Sequence, residues 1–407
     1  MADTLLTGSF QLMKSMNRSV ILNSIREKGP ISRAEIAKQT GLTPPTVSNL
    51  VKELLQAEMV MEQRLGESSG GRKPTLLTLN SERFHVIGLD VGSHDIKIIL
   101  TTITGKVLKK ATEPIPPDIT NEKLLSFIIE SIHSLTSTDE IDETKIIGIG
   151  VGMHGIVDVE KGVSILAPNL KLKNIPIKEV LEKEFNWIVK VENDARVMGL
   201  GELWFGHGAG VNSFVCINVG RGIGAGIVMN GKLYHGNDCI SGEIGHMTID
   251  LNGPKCTCGN DGCLQTFASG PSIAEKVKKE LRSGHASLLE ELVGHDDGKI
   301  TGEMVYKAAL QGDPLAISAL TEAGRYLGIG ITNLIHAINP KRIILGGGVL
   351  NAKDFILTTI ANTVQQRALT DAAKQTEIVV SKLGEDATAM GAVALILVEI
   401  FASKGVE

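Results

Sequence analysis

VIGLDVGSHDIKIILTTITGKVL at residues 86–108 and FVCINVGRGIGAGIVMNGKL at residues 214–233 are one unit written twice. Each is an apolar strand, then Asp or Asn, one residue, a glycine, a tight turn, a second strand, and a Gly-Lys turn into a third. Asp90 matches Asn218, and Gly92 matches Gly220. A duplicated strand-turn-strand unit implies two similar lobes with a cleft between them. Hairpins whose backbone N–H groups face such a cleft suit phosphate oxygens, although glycine-rich hairpins also serve as plain tight turns.

The neighbouring segments alternate strands with helices. KIIGIGVGMHGIVD reads as a strand leading into a glycine turn, and LEKEFNWIVKVENDARVMGLGELWFG as helix, strand and helix. LTEAGRYLGIGITNLIHAINPKRIILGGGVL reads as a long helix and a strand that ends in Gly346, Gly347 and Gly348. Ligands of α/β folds bind beyond the carboxyl ends of strands, which is where Asn193, Asp194 and the triple glycine fall. Polar stretches near residues 136–145 and 284–301 read as surface connections.

The chain has 407 residues, which suggests two or three domains. Its content is 43% hydrophobic but only 3% aromatic, so aliphatic side chains must fill the cores. No apolar run reaches a bilayer span; the nearest, AVALILVEIFA, is short and carries Glu399. The N-terminus lacks the order of a signal peptide. A soluble, cytoplasmic protein is expected, with no membrane partner. Residues 1–80 carry a net charge of +3 and the remainder −8, so the head is the part expected to meet a polyanion.

That head reads as a helix-turn-helix. Val20, Ile21 and Ile25 recur at helical spacing before Gly29. Ser32 and Glu35 form a capping box for a short helix ending at Gly41. Thr43 caps a third helix, TPPTVSNLVKELLQAE, whose two prolines occupy first-turn positions that need no N–H. Val47, Leu50, Val51, Leu54 and Leu55 form its apolar face. Pro44, Thr46, Ser48 and Asn49 lie at its exposed start, where side chains can reach base edges, and Lys52 can reach a phosphate. MVMEQR and PTLLTL read as strands around the tip LGESSGGRK, a wing that carries Arg72 and Lys73 toward a groove or backbone. A small helical packing domain with a solvated hairpin is the alternative. The capping box, the double proline, the wing and the basic balance together favour double-stranded DNA.

One further block is dense in ligands. GEIGHMTIDLNGPKCTCGNDGC, residues 242–263, places His246, Cys256, Cys258 and Cys263 in the spacing H-x9-C-x-C-x4-C, with Glu243 just ahead. Five cysteines, three of them clustered with C-x-C spacing, favour thiolate metal ligands over a disulfide framework. Four protein ligands close a tetrahedral zinc shell and leave no position for a catalytic water, so the metal is structural.

Taken together, the helix-turn-helix, the SSGGRKP wing, LDVG, VENDA, GEIGH with CTCGNDGC, ASGP and LGGGV resemble the repressors of the repressor–ORF–kinase (ROK) family, in the xylose-repressor and N-acetylglucosamine-repressor group. The resemblance spans essentially the whole chain, and the GEIGH–cysteine block is its most specific part. It implies a winged helix-turn-helix at residues 1–80, followed by an actin-like (ribonuclease H-like) two-lobed α/β body that binds a sugar between lobes at residues 81–198 and 199–407. A C-terminal helix within 388–407 would pack back on the first lobe. By position, the resemblance assigns Asn169, Asn193, Asp194, Glu243, His246 and Gln265 to the sugar, with a structural zinc fixing the loop that presents Glu243 and His246. Gln265 stands where family kinases usually show glutamate, and His154 stands where a proline is common. His154 reads as a packed or surface residue at least as readily as a ligand contact.

The resemblance also raises a sugar kinase that would use Asp194 as base and ATP as donor. Phosphoryl transfer is mostly positioning and charge stabilisation, so the phosphate turns decide. Kinases of the family read Asp-x-Gly-Gly-Thr and Gly-Thr-Gly there. This chain reads DVGSH, with Ser93 and His94, and GRG, with Arg221. Each turn loses a hydroxyl donor. The expectation is a non-enzymatic, sugar-responsive repressor, a homodimer or tetramer whose operator half-sites lie about one DNA turn apart or a multiple of it.

Overall fold

The computed structural model describes residues 16–63, 75–138, 141–294 and 296–401. A first helix, α1 (16–28), leads to β1 (Ile31–Ser32), α2 (Arg33–Thr40), α3 (Pro44–Gln56), β2 (Val60–Gln63) and β3 (Leu76–Leu79). The expected caps are present. Ser32 Oγ accepts from the Glu35 N–H and the Glu35 carboxylate accepts from the Ser32 N–H, which satisfies two orphan donors of α2. Gly41 ends that helix in the left-handed region at φ 70°.

On α1 the apolar face is shifted from the expected one. Val20 is 44% exposed, and Ile21, Leu22 and Ile25 turn inward instead. Val20 lies one residue outside the arc that Ile21 and Ile25 share, and Leu22 closes that arc. The hairpin of β2 and β3 pairs Val60 with Leu79 and Gln63 with Leu76. Its other edge carries β1, a strand pair that the sequence reading does not include. Arg72 and Lys73, with the rest of the wing tip, lie outside the described residues.

The body repeats one topology. The first sheet is built from β4 (His85–Val91), β5 (Asp95–Thr102), β6 (Val107–Pro114), β7 (Ile146–Met153) and, further on, β11 (Ile188–Asn193), in the order β11-β7-β4-β5-β6. Helix α4 (Asn121–Thr136) follows β6. A side sheet of β8 (Ile156–Asp158), β9 (Val163–Ala167) and β10 (Leu172–Ile175) precedes α5 (Ile177–Phe185). Helix α6 (Asp194–Phe205) follows β11.

The second sheet has β12 (Phe214–Val219), β13 (Ile223–Met229), β14 (Lys232–Tyr234), β15 (Arg342–Gly346) and β16 (Glu377–Val380), in the order β14-β13-β12-β15-β16. In both sheets three strands run as an antiparallel meander and two more add in parallel to the first. The repeated unit implies these two similar lobes, and their arrangement is the actin-like, ribonuclease H-like one that the family resemblance implies.

Between the last two β-hairpin strands and β15 lie α7 (Gln265–Ala268), α8 (Gly270–Arg282), α9 (Leu288–Leu292), α10 (Gly302–Leu310) and α11 (Pro314–Ile338); α12 (Lys353–Arg367) and α13 (Asp371–Lys374) precede β16, and α14 (Ala387–Phe401) closes the described chain. The 284–301 stretch is therefore more than a surface connection. Leu289 of α9 is fully buried in the second lobe's core.

The two sheets exchange helices. Helix α6 leaves the first sheet and packs on β12 and β13 of the second, while α14 leaves the second and packs on β4, β7 and β11 of the first. Gly150 in β7 permits this close approach, because a Cβ there would collide with the carbonyl of Ala392 in α14. Helices α6 and α14 pack against each other between the sheets.

The head closes on the ends of these helices. Ile21, Leu22 and Ile25 of α1 share one buried cluster with Val393, Leu397 and Phe401 of α14. Among the described residues, no helix is long and apolar enough to cross a membrane.

Candidate functional site

The carboxyl edge of the first sheet collects the polar residues. Asp90 pairs with Gly152, and Asn193 pairs with Met153, so both flank the end of β7. Asn193 is the N-cap of α6: its Oδ1 accepts from the Ala195 N–H at 3.0 Å and the Arg196 N–H at 3.2 Å, and its Nδ2 donates to the Gly155 carbonyl at 2.9 Å. Only one Nδ2 hydrogen is left for anything else. Gly155 must be glycine. Its φ is +89°, and a Cβ would collide with the Leu166 carbonyl and lie 2.8 Å from Pro168. That contact sets the exposed turn between β9 and β10, which carries Asn169, beside the end of β7.

Asp194 opens α6 and accepts from the Ala195 N–H at 2.9 Å. Burial lifts its pKa to about 6, against that hydrogen bond and the positive charge of Arg196. Asp90, which the sequence reading uses only as a marker of duplication, faces the same region. Burial, then the neighbouring Asp194 charge, lifts it to about 7. Two carboxylates so placed resist ionising together.

A buried network fixes the base of α6. Glu192 is fully buried. Its carboxylate takes the Arg196 Nε–H at 2.7 Å, the Asn193 N–H at 2.6 Å and His235 Nε2 at 2.8 Å. Burial pushes the Glu192 carboxyl up, but these partners outweigh it and hold the pKa below its ordinary value. Arg196 also donates to the Cys239 carbonyl at 2.7 Å, so the first lobe grips the loop 235–241 of the second. That loop runs directly into Glu243. The Glu243 carboxyl is pushed up by burial and, less, by Asp194, while His246 and Arg196 pull it down. Glu243 thus reaches the neighbourhood of Asp194, with His246 close to Glu243.

Behind them, the His246, Cys256, Cys258 and Cys263 ligand atoms all lie within 4.8 Å of one another. His246 Nδ1 is 3.6 Å from Cys256 Sγ, and Cys258 Sγ is 3.7 Å from Cys263 Sγ. Tetrahedral corners are about 3.7 Å apart when metal–sulfur bonds are about 2.3 Å. Because Nδ1 faces the cluster, Nε2 of His246 is left to face elsewhere. Burial raises the Cys256 thiol, but hydrogen bonds from Cys258, Gln265 and Cys263 more than reverse this and bring it to about 6. The donor set and spacing fit a bound metal. Gln265 donates through Nε2 to Cys256 Sγ at 3.3 Å, and its Oε1 lies against Gly222 and Gly245.

The two glycine turns approach each other across the lobes. Arg221 Nη1 donates to His94 Nε2 at 2.7 Å, so the side chains that replace the kinase pattern tie the first turn to the second.

The head presents a second candidate surface. Pro44, Ser48, Asn49 and Lys52 are exposed on α3, and Thr46 is partly covered, its hydroxyl 2.8 Å from that of Thr43. The face formed by Val47, Leu50, Val51 and Leu54 is buried. Head and cleft are joined by α6. Trp204 near its C-terminus lies under the Arg26 guanidinium of α1, 4.1 Å from the ring centroid, and packs edge-on against Phe401 of α14.

Asp90, Glu192, Arg196 and His235 are the residues that sequence reasoning leaves unassigned. The Asp-x-Gly at a strand end flags the first, whereas the other three require contacts that span 43 residues.

Residues 86–399 match the ROK family, and residues 18–61 match a winged helix-turn-helix DNA-binding family. The chain is 34% identical over 390 residues to the xylose repressor of Caldicellulosiruptor bescii, covering 96% of this chain and 97% of that one. A crystal structure of a ROK family transcriptional regulator, described as a homologue of the Escherichia coli MLC protein, superimposes with a TM-score of 0.84 at 31% identity, covering 96% of this chain and 98% of the other. A ROK family glucokinase from Streptomyces griseus, in complex with glucose and AMPPNP, gives a TM-score of 0.69 at 29% identity over 76% of this chain and 98% of its own.

Proposed function

The chain belongs to the ROK family, and from that premise we propose that it is a sugar-responsive transcriptional repressor. The head binds double-stranded operator DNA through the exposed start of α3 and the wing, and a sugar bound between the lobes releases it. One observation carries this reading: α6 begins at Asp194 in the cleft and carries Trp204 beneath the head in its last turn, roughly 15 Å further on. A ligand that moves the start of α6 therefore acts on the seat of the DNA-binding helices. Such coupling is typically worth about 1–3 kcal/mol.

In the cleft, Asp194, Glu243, His246, Asn169 and Gln265 bind sugar hydroxyls. Asn193, largely committed to capping α6, sets Asp194 in place. Carboxylates and amides suit hydroxyls because each accepts or donates in pairs, and a cleft built on them rejects ligands that lack the matching group. Zinc is the metal that fits the donors His246, Cys256, Cys258 and Cys263, and when bound it supplies a closed tetrahedral cross-link. The loop so held presents Glu243 and the free Nε2 of His246. Two copies of the chain would set the spacing of two heads.

Kinase activity is the weaker reading. Asp194 is present as a base, but the Arg221–His94 contact occupies the two turns that would receive phosphates. Thermal unfolding against xylose, glucose, N-acetylglucosamine and their phosphates, each with and without Mg-ATP, tests the choice. A sugar at 100 times its dissociation constant stabilises by about 2.7 kcal/mol, and ATP adds nothing if the repressor reading holds. ADP release in the presence of sugar would reverse it.

A further inference from the structure

His154 lies in the turn after β7, and its surroundings are one-sided. It is only 7% exposed. Its Nδ1 is 3.3 Å from the Val91 carbonyl, which can only accept, so Nδ1 carries the proton. In the neutral ring Nε2 is then an acceptor, and it is buried without a hydrogen-bond partner. Native proteins rarely leave such an atom unmatched, because the missing bond costs as much as desolvating the group.

The ring's place in the fold narrows what could match it. Met153, the preceding residue, pairs with Val91 on one side and with Asn193 on the other. Gly155, the next residue, receives the Asn193 amide. His154 therefore sits at the carboxyl edge of three adjacent strands, between the first glycine turn and the start of α6. Burial keeps the ring below the usual histidine pKa, the Val91 bond opposes this, and the nearby Arg221 of the other lobe adds to the lowering. A neutral ring at neutral pH offers Nε2 as an acceptor only.

We propose that His154 is a specificity-determining residue of the cleft, whose Nε2 accepts a hydrogen bond from one hydroxyl of the bound sugar. The proposal rests on the sugar-binding reading of the cleft. It assigns a role to a position that fold and spacing leave as packing. A ligand with a hydrogen or a methyl group at that hydroxyl's position leaves Nε2 buried and unmatched, and it binds more weakly for that reason.

The test uses calorimetric titration of the full-length, metal-loaded protein with D-xylose, D-glucose and N-acetyl-D-glucosamine. It then takes each monodeoxy analogue of whichever binds most tightly. Two variants separate the ring's two nitrogens. His154→Asn keeps a donor near the Nδ1 position for Val91 and removes the Nε2 acceptor, whereas His154→Gln places an amide oxygen near the Nε2 position. Thermal unfolding without sugar confirms that both fold. In the wild type, one analogue binds about tenfold more weakly than its parent. His154→Asn abolishes that difference and His154→Gln restores part of it. An unchanged difference in His154→Asn means that Nε2 does not meet the sugar, and it overturns the proposal while sugar binding stands. Binding of none of the three sugars, nor of their phosphates, to the wild type removes the sugar reading itself, and the proposal with it.

Discussion

Arg26 of the head lies over the indole of Trp204, 4.1 Å from the ring centroid, and Trp204 lies in the last turn of the helix that Asp194 opens. The contact joins the part of the chain that would meet DNA to the part that would meet sugar. Asn23 of the same head helix adds a hydrogen bond to the Phe401 carbonyl at 3.1 Å. A shift of α6 along its axis is therefore felt under α1.

Arg26→Ala should leave operator affinity in the absence of sugar within about threefold of wild type, because Arg26 packs on Trp204 and is not one of the exposed residues of α3. It should remove most of the sugar-induced change in operator affinity. Fluorescence anisotropy of labelled operator DNA, with and without sugar, measures both. Full retention of the sugar response would place the coupling elsewhere.

Asp90 predicts a pH effect with a definite sign. Its folded pKa of about 7 stands above the ordinary aspartate value, so the protonated form is favoured by folding. The stability this contributes is complete below the ordinary aspartate pKa of 3.8 and is lost progressively as pH rises from there to about 7. Asp90→Asn should therefore stabilise the protein more at pH 8 than at pH 5, the difference being on the order of 2 kcal/mol. Melting temperatures at the two pH values decide the matter. Equal shifts at both would show that Asp90 is not protonated in the folded state.

Removing the Glu192 side chain strands Arg196, which is only 2% exposed, as an unpaired buried charge. Glu192→Ala should cost about 3–5 kcal/mol in chemical denaturation. It should also weaken sugar binding, since the Asn193 N–H and the 235–241 loop lose their anchor. A loss below about 1 kcal/mol would mean that water replaces the carboxylate.

The His246–cysteine cluster predicts one zinc per chain in protein purified without chelator. Cys263→Ser, at a fully buried ligand, should abolish metal binding, lower the melting temperature and remove sugar binding. Operator binding without sugar should persist, because the head has its own caps and buried face. Elemental analysis and the two binding assays read these outcomes separately, and a metal content well below one per chain would remove the zinc from the account.

The duplicated lobes were legible in LDVG and INVG because strand pairing at a glycine turn is a local matter. The caps of α2 and α3 were legible for the same reason, since a capping box spans four residues. What escaped depends on distance along the chain. The packing of α6 on the second sheet was not legible, and the return of α14 to the first followed only from the family resemblance, because contacts such as that of Gly150 with Ala392 are encoded by no local pattern. The Glu192 network needs His235 and Cys239 from the other lobe. Within VENDA, the sequence points to Asn193 and Asp194 alike, yet the structure spends most of Asn193 on the helix cap. Val20 was drawn onto the buried face of α1 by its apolar character, although its neighbour Leu22 fills the arc toward the body.

The most direct test of the account is the operator affinity of the full-length protein during titration with the sugar that stabilises it. The account predicts tight binding to one DNA duplex in the absence of sugar and at least a fivefold loss at saturation, the lower end of ordinary coupling. It also predicts that Asp194→Asn binds the operator but does not respond to sugar. Operator affinity unmoved by a sugar that demonstrably occupies the cleft would contradict the central claim.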